Sequence, residues 1–568
     1  MNFKAPWLKY YGETPETLNY PKCSMFEMVE KVAEERPKLK AYDFMGNWAT
    51  YAEFIKEVLQ CSESLLSIGI KKGDRVTICL PNIPQAIIIF YAVNRIGAIA
   101  NMVHPLSAEN EILFYLKESE SKAAITLGSF FWKFEKVMDQ TSLERIIVAS
   151  IGEALPPVKR LAYKVMRKEK PMESQGKIIT WHDFMAQGKN FQGILPMCLT
   201  DEDPAAILYS GGTTGTAKGI LLTNLNFNAL AMQTQAASGC FAPGGSMLAI
   251  MPIFHGFGLG VCIHTMLAFG GMCILVPKLD INELPSLFGK YKPNYMAGVP
   301  TLFEALLRSP KMQGVDLSCL KGVFSGGDSL SAQLKKKVDK FLLEHGSQTT
   351  VREGYGTTEC VTASCLTPKN YYREGSIGIP FPDTFYKIVE PNTNDEVESG
   401  ELGEICISGP SVMREYINNP KETVHTLRIH DDGMTWLHTG DLGFMDEDGF
   451  VYFRQRLKRM IISSGYNVYP SQIENVIDAH EAVLLSTVIG VKDDYRMQRI
   501  KAFIVLKPGV EPTEEVQASI KAHCEKNIAK YAIPREFEYR DSLPKTLVGK
   551  VAYTQLEKEE EEKRSKRA

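Results

Sequence analysis

The sequence predicts an α/β protein with a large N-terminal domain of several mixed sheets and a small α+β domain at its C-terminal end. Three observations carry that reading. The chain has 568 residues, too many for one compact unit at about 150 residues per domain. Apolar runs alternate with amphipathic stretches along most of its length, the pattern of βαβ units. Near residue 455 the texture changes to a short self-contained series of strands and helices. With 44% hydrophobic and 23% charged residues, the composition is globular and excludes disorder as a whole-chain state.

The elements follow in order. Residues 53–69 place Ile55, Val58, Leu59, Ser62, Leu65 and Leu66 at helical spacing and stop at Gly69. RVTICL (75–80) and GMCILVP (271–277) are short and apolar, as buried strands are. Residues 81–100 suggest a turn and then a mostly buried helix. From Asn224 to Pro277 there is no Asp, Glu, Lys or Arg. Pro252, His255, His264 and several glycines interrupt that stretch, so strands and a helix inside a large core are expected rather than a membrane span.

Residues 446–456 read as a hairpin strand. Beyond them the order is strand, helix (470–479), strand (484–491), strand (501–507) and helix (512–530). The expected domains are 1–456 and 457–555, with 556–568 as a frayed, charged tail. No internal repeat is visible.

The charge balance, 64 Lys plus Arg against 67 Asp plus Glu, argues against a polyanion-binding face, so nucleic acid is not an expected partner. The twelve cysteines contain no C-x-x-C pair and read as reduced thiols of a cytosolic protein. The N-terminus lacks the apolar run of a signal peptide. Residues 158–168 (VKRLAYKVMRK) place Val158, Leu161, Ala162, Val165 and Met166 on one helical face with basic residues around it, after Pro156–Pro157. Two readings stay open for this segment: a solvated helix packed on the large domain, or a weak peripheral contact with an anionic membrane.

Four stretches suggest chemistry. YSGGTTGTAKG (209–219) crowds glycines and hydroxylated side chains around Lys218 after a plausible strand; such a loop turns backbone N–H groups toward an anion. It lacks the Gly-Lys spacing of a Walker A loop. GVFSGGDSLS (322–331) sets two glycines after a strand, where a flat ring could approach. EGYGTTEC (353–360) joins an aromatic, threonines and a carboxylate. In WLHTGDLGFMDEDGF (436–450), Asp441 sits at a turn, suited to two ribose hydroxyls or to a plain Asx-turn.

These stretches, followed by RQRLKRMIISSGYNVYPSQIE (454–474) and PKTLVGK (544–550), stand in the order found in the adenylate-forming superfamily of acyl-CoA synthetases, peptide-synthetase adenylation domains and luciferases. The chain resembles that superfamily from about residue 24 to 552. Ala217, Gly375–Pro380 and Asn467–Glu474 look most like bacterial long-chain fatty acid–CoA ligases.

The resemblance implies an acid–thiol ligase that uses ATP, Mg²⁺ and coenzyme A. A carboxylate first attacks the α-phosphorus of ATP, giving acyl-AMP and pyrophosphate; the CoA thiol then displaces AMP. Lys550 is implied as the residue that opposes charge in the first half. Ser210, Gly212, Thr213, Thr214, Gly215 and Lys218 are implied to cradle the phosphates, and Glu359 with Ser210 to hold Mg²⁺. Gly326, Gly327, Asp328, Gly354 and Tyr355 are implied around adenine, Thr358 at the α-phosphate, and Asp441 and Arg456 at the ribose. Lys458 is the implied hinge of a mobile C-terminal domain, and Gly465 and Tyr466 line the pantetheine passage. His255, Val299 and Pro300 are implied at the acyl pocket, although a lone histidine in an apolar run is as readily a core residue.

A second reading is an enzyme that adenylates fatty or aryl acids and passes the acyl group to a carrier protein. A third is a non-catalytic binding relative. The expected location is cytoplasmic, with peripheral contact at the inner membrane face.

Overall fold

The computed structural model describes residues 5–167, 173–189, 191–193, 199–210, 217–463, 466–493, 497–546 and 550–565. Among them, four sheets account for nearly all strands.

The first sheet has nine strands. Its parallel centre runs Val351–Tyr355, Gly322–Ser325, Tyr295–Gly298, Ser246–Ala249, Met272–Leu275 and Lys40–Phe44. Short antiparallel strands close both edges. The second sheet, of eight strands, is built on Ile99–Met102, Arg75–Cys79, Ala123–Leu127 and Arg145–Ala149, all parallel, and continues through Pro204–Tyr209 into the antiparallel strand Gly219–Thr223. Both sheets are covered by helices, so most of their central strands are apolar runs, with charges in Lys40–Phe44 and Val351–Tyr355 among the exceptions.

One continuous core joins the two sheets. Phe44 and Tyr42 enter it from the first, Ile78 and Ala100 from the second, and helix Pro84–Arg95 runs between them, buried from Pro84 to Asn94. This is the buried helix expected for 81–100. Helix Tyr51–Ser67 ends where Gly69 takes a φ of +90°.

The uncharged stretch resolves into helix Asn224–Ser238, strand Ser246–Ala249, the π-helical segment Phe257–His264, helix Thr265–Ala268 and strand Met272–Leu275. No helix among the described residues is long and apolar enough to cross a membrane. Because the stretch supplies no charge of its own, the end of helix Asn224–Ser238 is satisfied from outside. The buried Arg352 guanidinium donates to Ala237 O (2.8 Å), Ser238 O (2.6 Å) and Thr367 O (2.8 Å). A cation on the last carbonyls of a helix is favoured by the helix dipole. Burial lowers this arginine to about 10, still charged at neutral pH.

The third sheet is antiparallel, with strands Phe385–Val389, Gly403–Ser408, Thr435–Met445, Leu427–Ile429 and Val451–Arg456. The fourth is confined to the C-terminal unit: Tyr466–Val468, Ile461–Ser463, Met497–Leu506, Val483–Asp493 and Glu536–Tyr539. Its helices Pro470–Asp478 and Glu514–Asn527 match the expected α+β series.

The charged tail is the expectation the fold corrects. Residues Tyr553–Ser565 form a helix packed on strand Val483–Asp493, with Leu556 fully buried and Glu560 paired to Lys501 at 2.9 Å. One leucine and one glutamate among so many charges were too little periodicity to reveal a packed face.

Replacing Arg352 by Met should lower the unfolding free energy of the large unit by about 3 kcal/mol, because buried carbonyls lose a charged donor. Urea denaturation followed by tryptophan fluorescence measures it; a loss within about 0.5 kcal/mol would show that water satisfies those carbonyls instead.

Candidate active site

Four loops leave the carboxyl ends of parallel strands in the first sheet and meet on one side, where open α/β sheets bind ligands. Val299–Pro300 follows Tyr295–Gly298, Gly326–Asp328 follows Gly322–Ser325, and Thr357–Glu359 follows Val351–Tyr355. His255 lies beyond Ser246–Ala249, just before the π-helical segment. Gly327 has a φ of +80°, a conformation that glycine takes without cost.

The loops surround one open cavity. Gly326, Gly327, Gly354, Thr358, His255, Arg456 and Lys550 line it together. Phe257, Val261, Phe324, Leu366 and Phe381 make one wall apolar. Thr234, His255, Phe257 and Val261 are the contributions of the uncharged stretch; much of the rest is core, apart from the exposed turn at 242–244.

Lys550 arrives from the C-terminal unit. Its Cε lies 3.8 Å from where a Cβ on Gly327 would stand. Its N donates to Thr546 Oγ1 (3.1 Å), and its carbonyl accepts from Thr546 N (2.7 Å). Enclosure pulls its ammonium below the ordinary lysine value and Arg456 adds to that, while Asp328 and Asp441 act the other way. His255 is enclosed beside it, and burial followed by the Lys550 charge lowers its imidazole to about 3. It is therefore neutral at physiological pH, a cavity residue rather than a core one. His264 is the core histidine: fully buried, bonded to Tyr91 Oη and Asn228 Oδ1, each at 3.0 Å.

Asp441 organises the opposite rim. It is buried, accepts from Tyr355 Oη at 2.7 Å, and pairs with Arg456 Nε at 3.3 Å across the ladder that sets Asp441 opposite Arg456. Burial raises its carboxyl above the ordinary aspartate range, against the pull of Arg456 and the Tyr355 hydroxyl.

Two interactions here were not anticipated. Glu359 Oε1 accepts from Tyr416 Oη at 2.7 Å. Lys218 pairs with Glu422 and stands 4.8 Å over the Tyr416 ring. Strand Glu415–Tyr416 is brought there by pairing with Gly219–Thr223, a long-range register that no local motif announces. Val361 and Thr362, next to Glu359, both hold left-handed φ values of +54° and +71°. For β-branched residues this costs on the order of 1–3 kcal/mol each, and Thr362 lines the cavity.

Some expected residues lie elsewhere. Val299 and Pro300 do not line this cavity: Val299 packs against the core and stands 3.4 Å from the Gly327 Cβ position, and Pro300 is buried at the start of helix Pro300–Arg308. Ser210 closes its loop by accepting at Oγ from Lys218 N (3.4 Å), while its N donates to Lys218 O (3.3 Å). Gly212, Thr213, Thr214, Gly215 and Gly465 lie outside the described residues, as does the Tyr466 side chain. Lys458 lies in the single turn Leu457–Arg459 that follows Arg456.

Two family models match the chain: AMP-binding enzyme over residues 29–417 and AMP-binding enzyme C-terminal domain over residues 472–550. A long-chain-fatty-acid–CoA ligase of Bacillus subtilis (strain 168) is 35% identical, the match covering 99% of each chain. A ligase of the same name from Salmonella typhimurium is 33% identical over 98% of each. In fold, the chain is similar to ATP-bound MatB from Rhodopseudomonas palustris, with a TM-score of 0.82 at 24% identity, covering 95% of this chain and 99% of that one. Matched across both of its units, the chain belongs to the AMP-binding, adenylate-forming enzyme family.

Proposed function

We propose that the protein is an AMP-forming acid–thiol ligase that activates a fatty acid and transfers it to coenzyme A. In the first half-reaction a carboxylate oxygen attacks the α-phosphorus of ATP, and pyrophosphate leaves. In the second, the CoA thiol attacks the acyl carbonyl, loses its proton, and AMP departs with the former carboxylate oxygen. The observation that carries this reading is the meeting of Lys550, the glycine-rich rim and an apolar wall in one cavity. The names of the relatives support the choice of acid and of thiol acceptor. Release of pyrophosphate across a panel of acids from acetate to stearate, including benzoate, followed by CoA-dependent release of AMP, tests both.

The roles follow from charge. The Lys550 ammonium would relieve repulsion between two anions and oppose charge growing on phosphorus, which is positioning and electrostatic stabilisation rather than covalent chemistry. Gly326 and Gly327 would let the adenine approach the backbone beside Tyr355, with Asp328 at the edge of that site and Gly354 beneath it. Asp441 and Arg456 would take the ribose, and Thr358 the α-phosphate. Ser210 and Lys218, with Gly212, Thr213, Thr214 and Gly215, would hold the β- and γ-phosphates. His255, being neutral, would contribute shape and a hydrogen bond at the acyl entrance rather than charge.

Mg²⁺ fits the same site. Glu359 offers a hard carboxylate already oriented by Tyr416, and Ser210 offers a hydroxyl; the ion would supply charge neutralisation to the phosphates. Gly465 and Tyr466 would line the pantetheine passage.

The reading includes a division at Arg456/Leu457. Arg456 is anchored to Asp441, and Arg459 to Glu474 at 2.6 Å. Lys458 between them would be the hinge that carries Lys550 away before the thiol enters.

We also place the enzyme in the cytoplasm with peripheral membrane contact. None of the eleven described cysteines is in a disulfide. Helix Pro157–Arg167 packs on the large unit through Tyr163, while Val158 and Leu161 are 83% and 67% exposed and Lys159 Nζ donates to the carbonyl of exposed Met45.

Lys550→Ala should reduce acyl-AMP formation by at least about a thousandfold while leaving thioester formation from synthetic acyl-AMP within about threefold; equal loss in both halves would overturn the assignment. Since Lys550 acts protonated and its pKa is depressed, adenylation should fall as pH rises through a limb below the ordinary lysine value of 10.5. Lys550→Arg should shift that limb upward in the pH–rate profile, because guanidinium stays charged. Glu359→Gln should raise the Mg²⁺ concentration for half-maximal adenylation by about tenfold, read from a Mg²⁺ titration. Val158→Asp/Leu161→Asp should halve or abolish co-sedimentation with phosphatidylglycerol vesicles; pelleting equal to wild type would remove this helix as the contact.

A further inference from the structure

The antiparallel third sheet contains a second cluster of chemically competent side chains that adenylation does not use. Cys406 on Gly403–Ser408 and His438 on Thr435–Met445 are cross-strand partners. His430 joins them from the turn that connects Leu427–Ile429 to Thr435–Met445, closed by His430 N donating to Met434 O at 3.1 Å. One ligand atom from each of the three lies within 4.8 Å of the others, and all three residues are buried.

The hydrogen bonds fix where the protons are. Glu404 Oε2 lies 3.0 Å from His438 Nδ1. A carboxylate only accepts, so Nδ1 carries the proton and the His438 Nε2 lone pair faces the cluster. His430 Nε2 is 3.0 Å from that Nε2 and must therefore donate. Its own Nδ1 is left as a lone pair, buried and without a hydrogen-bond partner. That vacant Nδ1 can take up the ring proton and so release both Nε2 atoms to a third partner. Burial and the Glu404 charge hold the Cys406 thiol well above its ordinary value, against the smaller pull of Arg428 and Lys387.

We propose that Cys406, His430 and His438 form a Zn²⁺ site. One thiolate and two imidazoles suit this borderline-soft ion, and three protein ligands leave a fourth tetrahedral position for water. Glu404 holds His438 as an outer-shell carboxylate holds a zinc-binding histidine, fixing its tautomer and ring orientation. On binding, the Cys406 thiol loses its proton to solvent; where His430 ligates through Nε2, its proton shifts to the vacant Nδ1. No electrons are exchanged. The ion would clamp the turn at His430 to the two strands it connects.

The test uses the full chain stripped with chelator and titrated with Zn²⁺ and Co²⁺. Wild type should take up one Zn²⁺ per chain, and its Co²⁺ complex should show thiolate-to-metal charge-transfer absorption in the near ultraviolet. Cys406→Ser should abolish that absorption and weaken Zn²⁺ binding by about 100-fold or more; Glu404→Gln should weaken it by about 10–100-fold. His430→Gln, in a surface turn, provides the same loss of affinity should Cys406→Ser fail to fold, and circular dichroism of the metal-free variants separates the two causes. A wild-type Co²⁺ complex without thiolate absorption, or Zn²⁺ affinity unchanged in the variants, would overturn the proposal and leave a buried histidine pair of which His430 stacks on Trp436.

Discussion

Burying the Asp441 carboxylate constrains more of this molecule than any other single group. A charge removed from water is tolerated only when paired and hydrogen-bonded, and its two partners come from different places. Tyr355 ends a strand of the first sheet, and Arg456 ends the last strand of the third. The carboxylate therefore locks two sheets together at the cavity rim and fixes the point where the chain leaves for its C-terminal unit.

The remainder of the site depends on backbone held against its preferences. Val361 and Thr362 sit in left-handed conformations two and three residues after Glu359, and the surrounding structure compensates. A Cβ on Gly256 would come within 2.8 Å of Thr362 Cγ2, so the segment following His255 closes directly onto this loop. On the far side, Arg352 ties the strand beneath the loop to the end of helix Asn224–Ser238. A stretch without charges thus forms one wall of the cavity only because an arginine from outside completes its helix.

Much of this was legible in the sequence. Alternation and helical spacing found the buried strands and the helix Pro84–Arg95, because their patterns are local. The motifs located Lys550, Gly326, Gly327, Thr358 and His255, and these do share a cavity. What the sequence hid was long-range or sparse. Tyr416 and Glu422 reach Glu359 and Lys218 through a register between strands distant in sequence. Before the helix at 470 one strand was expected, and the structure divides it into Ile461–Ser463 and Tyr466–Val468, three residues each and too short for alternation to separate. Val299 and Pro300 stand at a strand end beside Gly327, yet neither lines the cavity: Val299 is half-buried and Pro300 is buried at the start of its helix.

The attachment of Lys550 has a mechanical consequence. Its backbone is bonded to Thr546, and three residues beyond it begins helix Tyr553–Ser565, which is clamped by buried Leu556. A lysine whose backbone is fixed this way leaves the cavity most readily together with its support. Between the Arg456 and Arg459 anchors stand only Leu457 and Lys458, so on the proposed hinge the C-terminal unit would turn as a lever with a very short fulcrum. Occupancy of the cavity by Lys550 would then be a two-position property, and a second reactant would meet either a closed chamber or an open one. The order in which the two reactants are admitted would follow from the chain's connectivity rather than from their relative affinities.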